Sequence, residues 1–403
     1  MTPAVAVTGL GATTPLGGDA PSTWAAMLAG KSGVRLLDDP RLEDFPARIG
    51  APLAVDPAAV LPRVEARRMD RSQQVAMIAA REAWADAGSP EVDPDRLAVV
   101  IGTGVGGAVT LLEQDDKLES GGPRRVSPLT VPMLMANGPA ALVGIELGAR
   151  AGVHTPVSAC ASGAEAIAYG MDLIRLGRAD VVVAGGAEAC LHPLPLAGFA
   201  QARTLSTRND DPERASRPFD AARDGFVLGE GAAVVVLERA DFAAARAARR
   251  HALLAGSGMT SDAFHITGAD PEGQARAMRR ALADAGLPPQ AVDVVHAHAT
   301  STPVGDLNEA RSVADAIGLH PAVTATKSMT GHLCGGAGAV GALAALLAVR
   351  DGVVPAVRNL DDPDPDVKLD LVRGEPRRGP FRTALANAFG FGGHNVSLVF
   401  TAA

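Results

Sequence analysis

Thr155-Pro-Val-Ser-Ala-Cys160-Ala-Ser-Gly163 leads straight into Ala164 to Leu176, a run with helical spacing. An extended segment that breaks at small residues immediately before a helix is the setting of a nucleophile elbow. A thiol placed there feels the positive end of the helix dipole, which lowers its pKa, and Ala159, Ala161 and Gly163 leave space for an incoming acyl group. A lone cysteine is more often a small buried apolar residue, so its companions decide between the two readings. Outward from this junction, short apolar runs with Gly-rich ends recur at Ala4 to Val7, Leu97 to Ile101, Val181 to Ala184, Ala233 to Leu237, Val292 to His296 and Val396 to Phe400. They read as buried strands. Ala-rich stretches with helical spacing alternate with them: Gln73 to Ala87, Ala164 to Leu176, Gly273 to Ala285, Asn308 to Ile317 and Ala337 to Val349. That alternation predicts an α/β architecture with helices covering the sheets.

The 403 residues suggest two or three domain-sized units. The charged, Ala-rich stretch Arg239 to Arg250 is the best boundary, after which the strand–helix–strand order begins again, so the expected halves are 1–248 and 249–403. They share no convincing sequence repeat, and any relation between them must come from the order of elements. With 37 Lys and Arg against 45 Asp and Glu, the net charge of −8 argues against a broadly basic nucleic-acid binder. The composition, 47% apolar and 20% charged, is that of a globular chain rather than a disordered one. Cys160, Cys190 and Cys334 form neither a disulfide scaffold nor zinc-type pairs, which points to a reducing, cytoplasmic setting. The amino terminus lacks the pattern of a signal peptide. Ala337 to Val349 is shorter than the ~20 residues of a membrane span, and a buried helix is expected there instead.

Two of the nine histidines stand where strands give way to loops rich in Thr, Ser and Gly. His298 follows the apolar run ending Val-Val-His296-Ala, and His332 closes Thr326-Lys327-Ser-Met-Thr-Gly331 ahead of a Gly- and Ala-rich helix. Such placement supports acid–base or hydrogen-bonding catalysis. Metal binding is disfavoured, since no carboxylate or Cys pair is spaced to complete a zinc set with either histidine.

Further segments stand in a telling order: Val7-Thr-Gly-Leu-Gly11, Ile101-Gly-Thr-Gly-Val-Gly-Gly107, Val157 to Gly163, Arg217-Pro-Phe-Asp220, Arg223-Asp-Gly-Phe-Val-Leu-Gly-Glu230, His298 to Asp306, Lys327 to His332, and Asn387-Ala-Phe-Gly-Phe-Gly-Gly-His-Asn395. The glycines from Gly102 to Gly107 alone could suggest a nucleotide site, but they lack the dinucleotide fingerprint's spacing. Together the segments resemble, over essentially the whole chain, the β-ketoacyl-[acyl-carrier-protein] synthases, condensing enzymes of the thiolase superfamily, and most closely the elongating, synthase II-like ketosynthases of bacterial fatty-acid synthesis.

The resemblance implies a thiolase-like fold of two pseudo-symmetric α/β halves in an αβαβα five-layer arrangement. It also implies decarboxylative Claisen condensation of an acyl-enzyme thioester with malonyl-acyl-carrier protein. Cys160 carries the acyl group, while His298 and His332 hydrogen-bond the malonyl thioester oxygen and stabilise the enolate. Backbone N–H groups of Cys160 and Phe391 form an oxyanion hole, Phe391 gates the site, and the glycines flanking Phe391 are expected to supply unusual backbone angles. Lys327 takes a charge-balancing role supported by Asp306 and Glu309, and Thr300 and Thr302 hold the pantetheine arm. Where the family usually has a glutamate this chain has Gly341, so Lys327 must find another acceptor.

By the same resemblance Val105 and Phe199 line the acyl pocket, with Met133 and Met135 contributed across a dimer interface. Arg63, Arg67, Arg68, Arg124, Arg125 and Arg203 form basic positions that could dock an acidic acyl carrier protein. The implied assembly is a homodimer without metal or organic cofactor, since the phosphopantetheine arrives on the carrier. The rival is a type II polyketide or polyene ketosynthase subunit in a heterodimer with a chain-length-factor-like chain. A third reading keeps the site but uses it for priming acyl transfer or partner binding, without elongation.

Overall fold

The computed structural model describes residues 3–403. The first half runs β1 (Val5–Thr13), α1 (Arg71–Asp86), β2 (Leu97–Gly102), α2 (Gly138–Leu147), β3 (Gly152–His154), α3 (Ser162–Arg175), β4 (Val181–Glu188) and β5 (Gly231–Arg239). The second runs β6 (Ala252–Ser261), α4 (Pro271–Ala285), β7 (Val294–His296), α5 (Pro303–Ala316), β8 (Ala322–Thr324), α6 (Ala337–Asp351), β9 (Asp370–Leu371), β10 (Thr383–Gly390) and β11 (His394–Thr401).

Strand order repeats between the halves although the sequence does not. One half reads β1-β5-β4-β2-β3 and the other β6-β11-β10-β7-β8, with β9 added at the far edge. Directions repeat as well. The first two pairings of each series are antiparallel and the next two parallel. Three residue pairs, Val5 to Val7 against Leu254 to Ala252, join β1 to β6 and make one hydrogen-bonded sheet of eleven strands.

Period-two alternation then sorts the side chains into layers. In β2, Val100 faces the middle of the molecule with Ile167 and Met171 of α3 and Leu343 and Leu346 of α6. Its neighbours Val99 and Ile101 face outward onto Val75, Ala79 and Ala83 of α1. In the second half Leu398 and Ala386 face the middle helices, while Val399 and Leu385 face Met278 of α4 and Val313 of α5. The result is helix, sheet, helix, sheet, helix. Because both halves of the sheet are covered on both faces, strands such as β2, β4 and β5 read as continuous apolar runs. The apolar stretch Cys334–Asp351 is 89% buried and forms a core helix between the sheets.

This duplication positions the chemistry. Cys160 immediately precedes α3 and His332 lies just ahead of α6, the equivalent helix of the other half, so the two approach one another where the middle layer meets the ends of the strands.

Candidate active site

Ala159 adopts φ +51, a left-handed conformation that costs an alanine about 1–2 kcal/mol, and it turns the chain sharply into Cys160. Ser162 holds the turn: its Oγ accepts from the Ser158 N–H at 2.9 Å and lies 2.7 Å from the Ala159 carbonyl. Opposite stands the end of β10. A Cβ on Gly390 would lie 2.3 Å from the Ser158 carbonyl, so glycine is required there for close approach, whereas Gly392 and Gly393 hold φ +90 and +74. The expectation of unusual angles thus fails for Gly390 alone. With this approach the backbone N–H groups of Phe391 and Cys160 both face Sγ. We expect Gly390→Ala to leave a folded protein whose acylation rate falls about 10²-fold, because displacing Phe391 removes one oxyanion donor. Single-turnover acylation monitored by intact mass checks this.

His332 Nε2 lies 3.0 Å from Cys160 Sγ. The His332 ring is gripped edge-on by Phe226, centroids 5.3 Å apart, and Phe226 packs in turn on Phe199 at 5.2 Å. His298 meets His332 at 5.6 Å with rings nearly perpendicular, and Phe389 backs His298 at 5.7 Å. Burial, reinforced by the nearby Lys327 charge, holds both imidazoles well below their usual pKa, so both are neutral at pH 7.

Lys327 Nζ donates to the His298 carbonyl at 2.5 Å and lies 3.5 Å from His298 Nδ1. Among the described residues these are its acceptors, and no carboxylate is among them. A proton offered to Nδ1 leaves Nε2–H of His298 free to donate into the site. Burial pushes the Lys327 ammonium down to about 8, with Glu309 pulling the other way. Glu309 accepts from the N–H groups of His298 (2.7 Å) and Ala299 (2.6 Å) and from Asn387 (3.1 Å), which fixes the loop carrying the histidine. Asp306 does a separate job. It accepts from the N–H groups of Phe219 (2.9 Å) and Ser301 (3.1 Å) with Arg223 at 3.6 Å, so it anchors the surrounding loops and does not hydrogen-bond Lys327.

The thiol departs from the sequence expectation. Burial pushes Cys160 up to about 11, the Lys327 charge and the two facing N–H groups opposing it without prevailing. Helix dipole and N–H donors favour the thiolate, but desolvation of a single charge costs more.

Thr300 and Thr302 place their hydroxyls 3.1 Å apart on the half-buried loop after His298. Val105 and Met135 are exposed, and Met133 is half-buried, its backbone packed against Gly107, whereas Phe199 connects to His332 through Phe226. All six arginines are exposed. Sequence reasoning missed Glu188, at the end of β4. It accepts from Thr103 Oγ1 (2.9 Å) and from the N–H groups of Gly104 (2.7 Å) and Gly335 (3.1 Å), tying the glycine loop after β2 to the turn after His332. Burial pushes it up to about 7. A carboxylate ending an apolar strand with no cation nearby was the available signal. Phe226 and Phe389 lie within segments that the resemblance already marks, Arg223 to Glu230 and Asn387 to Asn395, but their packing on the histidines depends on contacts distant in sequence.

A thiol, two neutral imidazoles and a pair of inward N–H groups on a duplicated five-layer frame describe a condensing enzyme of the thiolase class. Comparison with known proteins agrees. The β-ketoacyl synthase N-terminal domain family matches residues 2–243, and the β-ketoacyl synthase C-terminal domain family matches 251–361. The chain is 50% identical over 404 aligned residues to the 3-oxoacyl-[acyl-carrier-protein] synthase 2 of Mycobacterium tuberculosis, covering 99% of this chain and 97% of that protein. It is 44% identical to the synthase 2 of Synechocystis, covering 98% and 97%. Among solved structures, the ishigamide ketosynthase/chain length factor superposes with a TM-score of 0.94 at 32% identity, and a β-ketoacyl synthase from Burkholderia phymatum with 0.92 at 36%, each over 100% of both chains. The chain belongs to the β-ketoacyl synthase family.

Proposed function

We propose that this enzyme elongates acyl chains in fatty-acid synthesis by condensing an acyl-Cys160 thioester with malonyl-acyl-carrier protein to give 3-oxoacyl-acyl-carrier protein. The observation that carries the reading is the joint placement of Cys160 Sγ, 3.0 Å from His332 Nε2, with His298 beside it. In the first half-reaction Sγ attacks the acyl thioester carbonyl as its proton passes to His332 Nε2. The oxyanion forms against the N–H groups of Cys160 and Phe391, and the carrier's thiol leaves with a proton. In the second, the malonyl carboxylate leaves as carbon dioxide. Its bonding electrons enter an enolate held by Nε2–H of His298 and, once the His332 ring proton has moved from Nδ1 to Nε2, by His332; the carbanion attacks the acyl-Cys160 carbonyl and expels Sγ as a thiolate, which takes up one proton from water. The electrostatic work falls to N–H groups and the Lys327 charge, so the scheme asks for no resident metal or organic cofactor.

The 50% identity to a synthase 2, against 32% to the ishigamide ketosynthase/chain length factor, favours fatty-acid elongation over the polyketide reading. Elongation by the purified chain alone, supplied with malonyl- and acyl-carrier proteins and read by mass spectrometry, tests it. Turnover of saturated chains supports the reading, and inactivity without a second, similar chain overturns it.

Assembly as a homodimer is supported by the edge strand β3, paired only with β2, and by exposed Val153, Val157, Ile145, Val131 and Met135 around it. A second copy at this edge would carry its Met133 and Met135 toward the neighbouring site. The free thiols support a reducing, cytoplasmic setting.

Docking of the acidic carrier on Arg63, Arg67, Arg68, Arg124, Arg125 and Arg203 gives a distinct expectation. KM for carrier-linked substrate should rise severalfold as salt shortens the screening length from about 10 Å at 0.1 M toward about 3 Å at 1 M, while KM for a short pantetheine thioester stays flat. Steady-state kinetics across that range checks it.

The pH dependence follows from Lys327. Below about pH 8 it is charged and lends a positive field to Sγ and the enolate; above, the field is lost. Malonyl decarboxylation should therefore show a one-proton alkaline limb near pH 8 and no acid limb near 6.5, where both histidines are already neutral. Carbon dioxide release measured between pH 5 and pH 10, with Lys327→Met expected slow at every pH and without the limb, checks the assignment.

A further inference from the structure

His296 ends β7 two residues before His298 and is 1% exposed. Its Nε2 lies 2.8 Å from the hydroxyl of Thr326, the residue immediately before Lys327. Its Nδ1 is buried and finds no hydrogen-bond partner among the described residues. The Nδ1 edge of the ring rests on the middle helix: a Cβ on Gly341 would lie 3.0 Å from Nδ1 and 3.0 Å from Cε1. Gly341 sits inside α6, where glycine is the poorer helix former and no unusual backbone angle calls for it. Volume is the remaining reason for a glycine, because any longer side chain would have to displace the imidazole.

We propose that His296 is a positioning residue whose neutral ring fills the space above Gly341 and fixes the Thr326–Lys327 turn, so that Lys327 is aimed at His298 by neutral acceptors in place of an ion pair. The inference rests on the condensing-enzyme reading. Among the described residues Lys327 forms no salt bridge, and its hydrogen bonds go to the carbonyl and Nδ1 of His298. The groups facing it are Glu309 and Asp306 from α5, Cys160 from the nucleophile turn, and His296, His298 and His332. Burial, with Lys327 adding to it, holds His296 at about 3, so its ring contributes shape and a hydrogen bond but no charge. An unpaired ammonium keeps its field for Sγ and the enolate, and gives up its proton more readily than a paired one.

A double-substitution cycle tests this in two independent readouts. The first is thermal unfolding of the native chain, Gly341→Ala, His296→Ala and the double variant. Gly341→Ala should lower Tm when His296 is present and raise it in the His296→Ala background, where the helix gains a better former without a clash. A rise in both backgrounds overturns the packing claim, and this arm needs no activity. The second readout is decarboxylation against pH. Gly341→Glu alone should lose at least tenfold in rate, and His296→Ala/Gly341→Glu should recover tenfold over it, with the alkaline limb moved up by a unit or more as the new carboxylate pairs with Lys327. A limb that stays near pH 8 in the double variant, or Gly341→Glu matching the native rate, overturns the positioning role. Should the native chain release no carbon dioxide at all, the condensing-enzyme reading fails, while the unfolding arm still decides the packing claim.

Discussion

Cys160→Ala abolishes acylation and lowers condensation by about 10⁶-fold, the size expected when the nucleophile of a concerted site is removed, yet leaves malonyl decarboxylation running. The separation follows from where the side chains stand. Sγ contributes the bond to the acyl group, and the nearby serines offer no substitute. The Ser162 hydroxyl is committed to the backbone at 2.7 Å, and the Ser158 side chain is buried. Decarboxylation depends instead on His298, His332 and Lys327, none of which is held by Sγ except through its 3.0 Å contact with His332. The substitution also keeps the N–H at position 160, since it belongs to the backbone. Intact-mass spectrometry after incubation with acyl-carrier protein, beside carbon dioxide release from malonyl-carrier protein, measures both halves. An acyl adduct on the Cys160→Ala protein would sink the assignment of the nucleophile.

The same residue shows what a sequence can and cannot carry. The turn before α3 was legible because Ser, Ala and Gly around Cys160 break an extended run at the start of a helical one. The direction of the thiol's pKa was not legible, because a helix terminus is local whereas burial is assembled from distant segments. A thiol pushed up by burial stays protonated at pH 7, so its proton leaves during the attack, and His332 is the group in reach. His298 could be picked out for a related reason, because it stands where an apolar strand gives way to a polar turn; His332 does not, since the short helix Lys327–Thr330 separates it from the strand Ala322–Thr324, and its place shows instead in the Gly- and Ala-rich helix that follows it. By contrast β6 and β10 escaped the strand reading. Their Ala, Gly, Ser and Thr residues lack the bulky branched pattern of a strand; burial along β10 is continuous, and the alternating burial of β6 falls on small residues that carry no hydrophobic contrast. The duplication was invisible in residues and plain in strand order, since layers constrain direction and neighbour while accepting many small apolar side chains. Lys327 illustrates the limit from the other side. Its missing partner could be read from Gly341, but its actual acceptors lie on a loop 29 residues away that only the fold brings near.

Substituting the two histidines should give unequal results. His298→Ala is expected to lose about 10²–10³ in decarboxylation, the worth of one oxyanion donor, while acylation of Cys160 proceeds almost unchanged. His332→Ala should lose a similar factor in decarboxylation and a further 10²–10⁴ or so in acylation, because it is also the base beside the thiol. The asymmetry comes from geometry. His332 Nε2 touches Sγ, whereas His298 makes no hydrogen bond to Sγ and packs on the His332 ring, centroids 5.6 Å apart. His298→Ala also leaves the main Lys327 contact in place, because that hydrogen bond goes to the backbone carbonyl at 298 rather than to the ring. The positive field that favours the thiolate therefore survives in this variant. In His332→Ala the same field remains, yet a thiol raised by burial has lost the one side chain that hydrogen-bonds it among the described residues. Stopped-flow acylation and carbon dioxide release on the two variants, each checked for native Tm, separate these roles. Equal losses of acylation in both would mean that the proton leaves by another route, and that the two imidazoles act only as a matched pair of donors to the enolate.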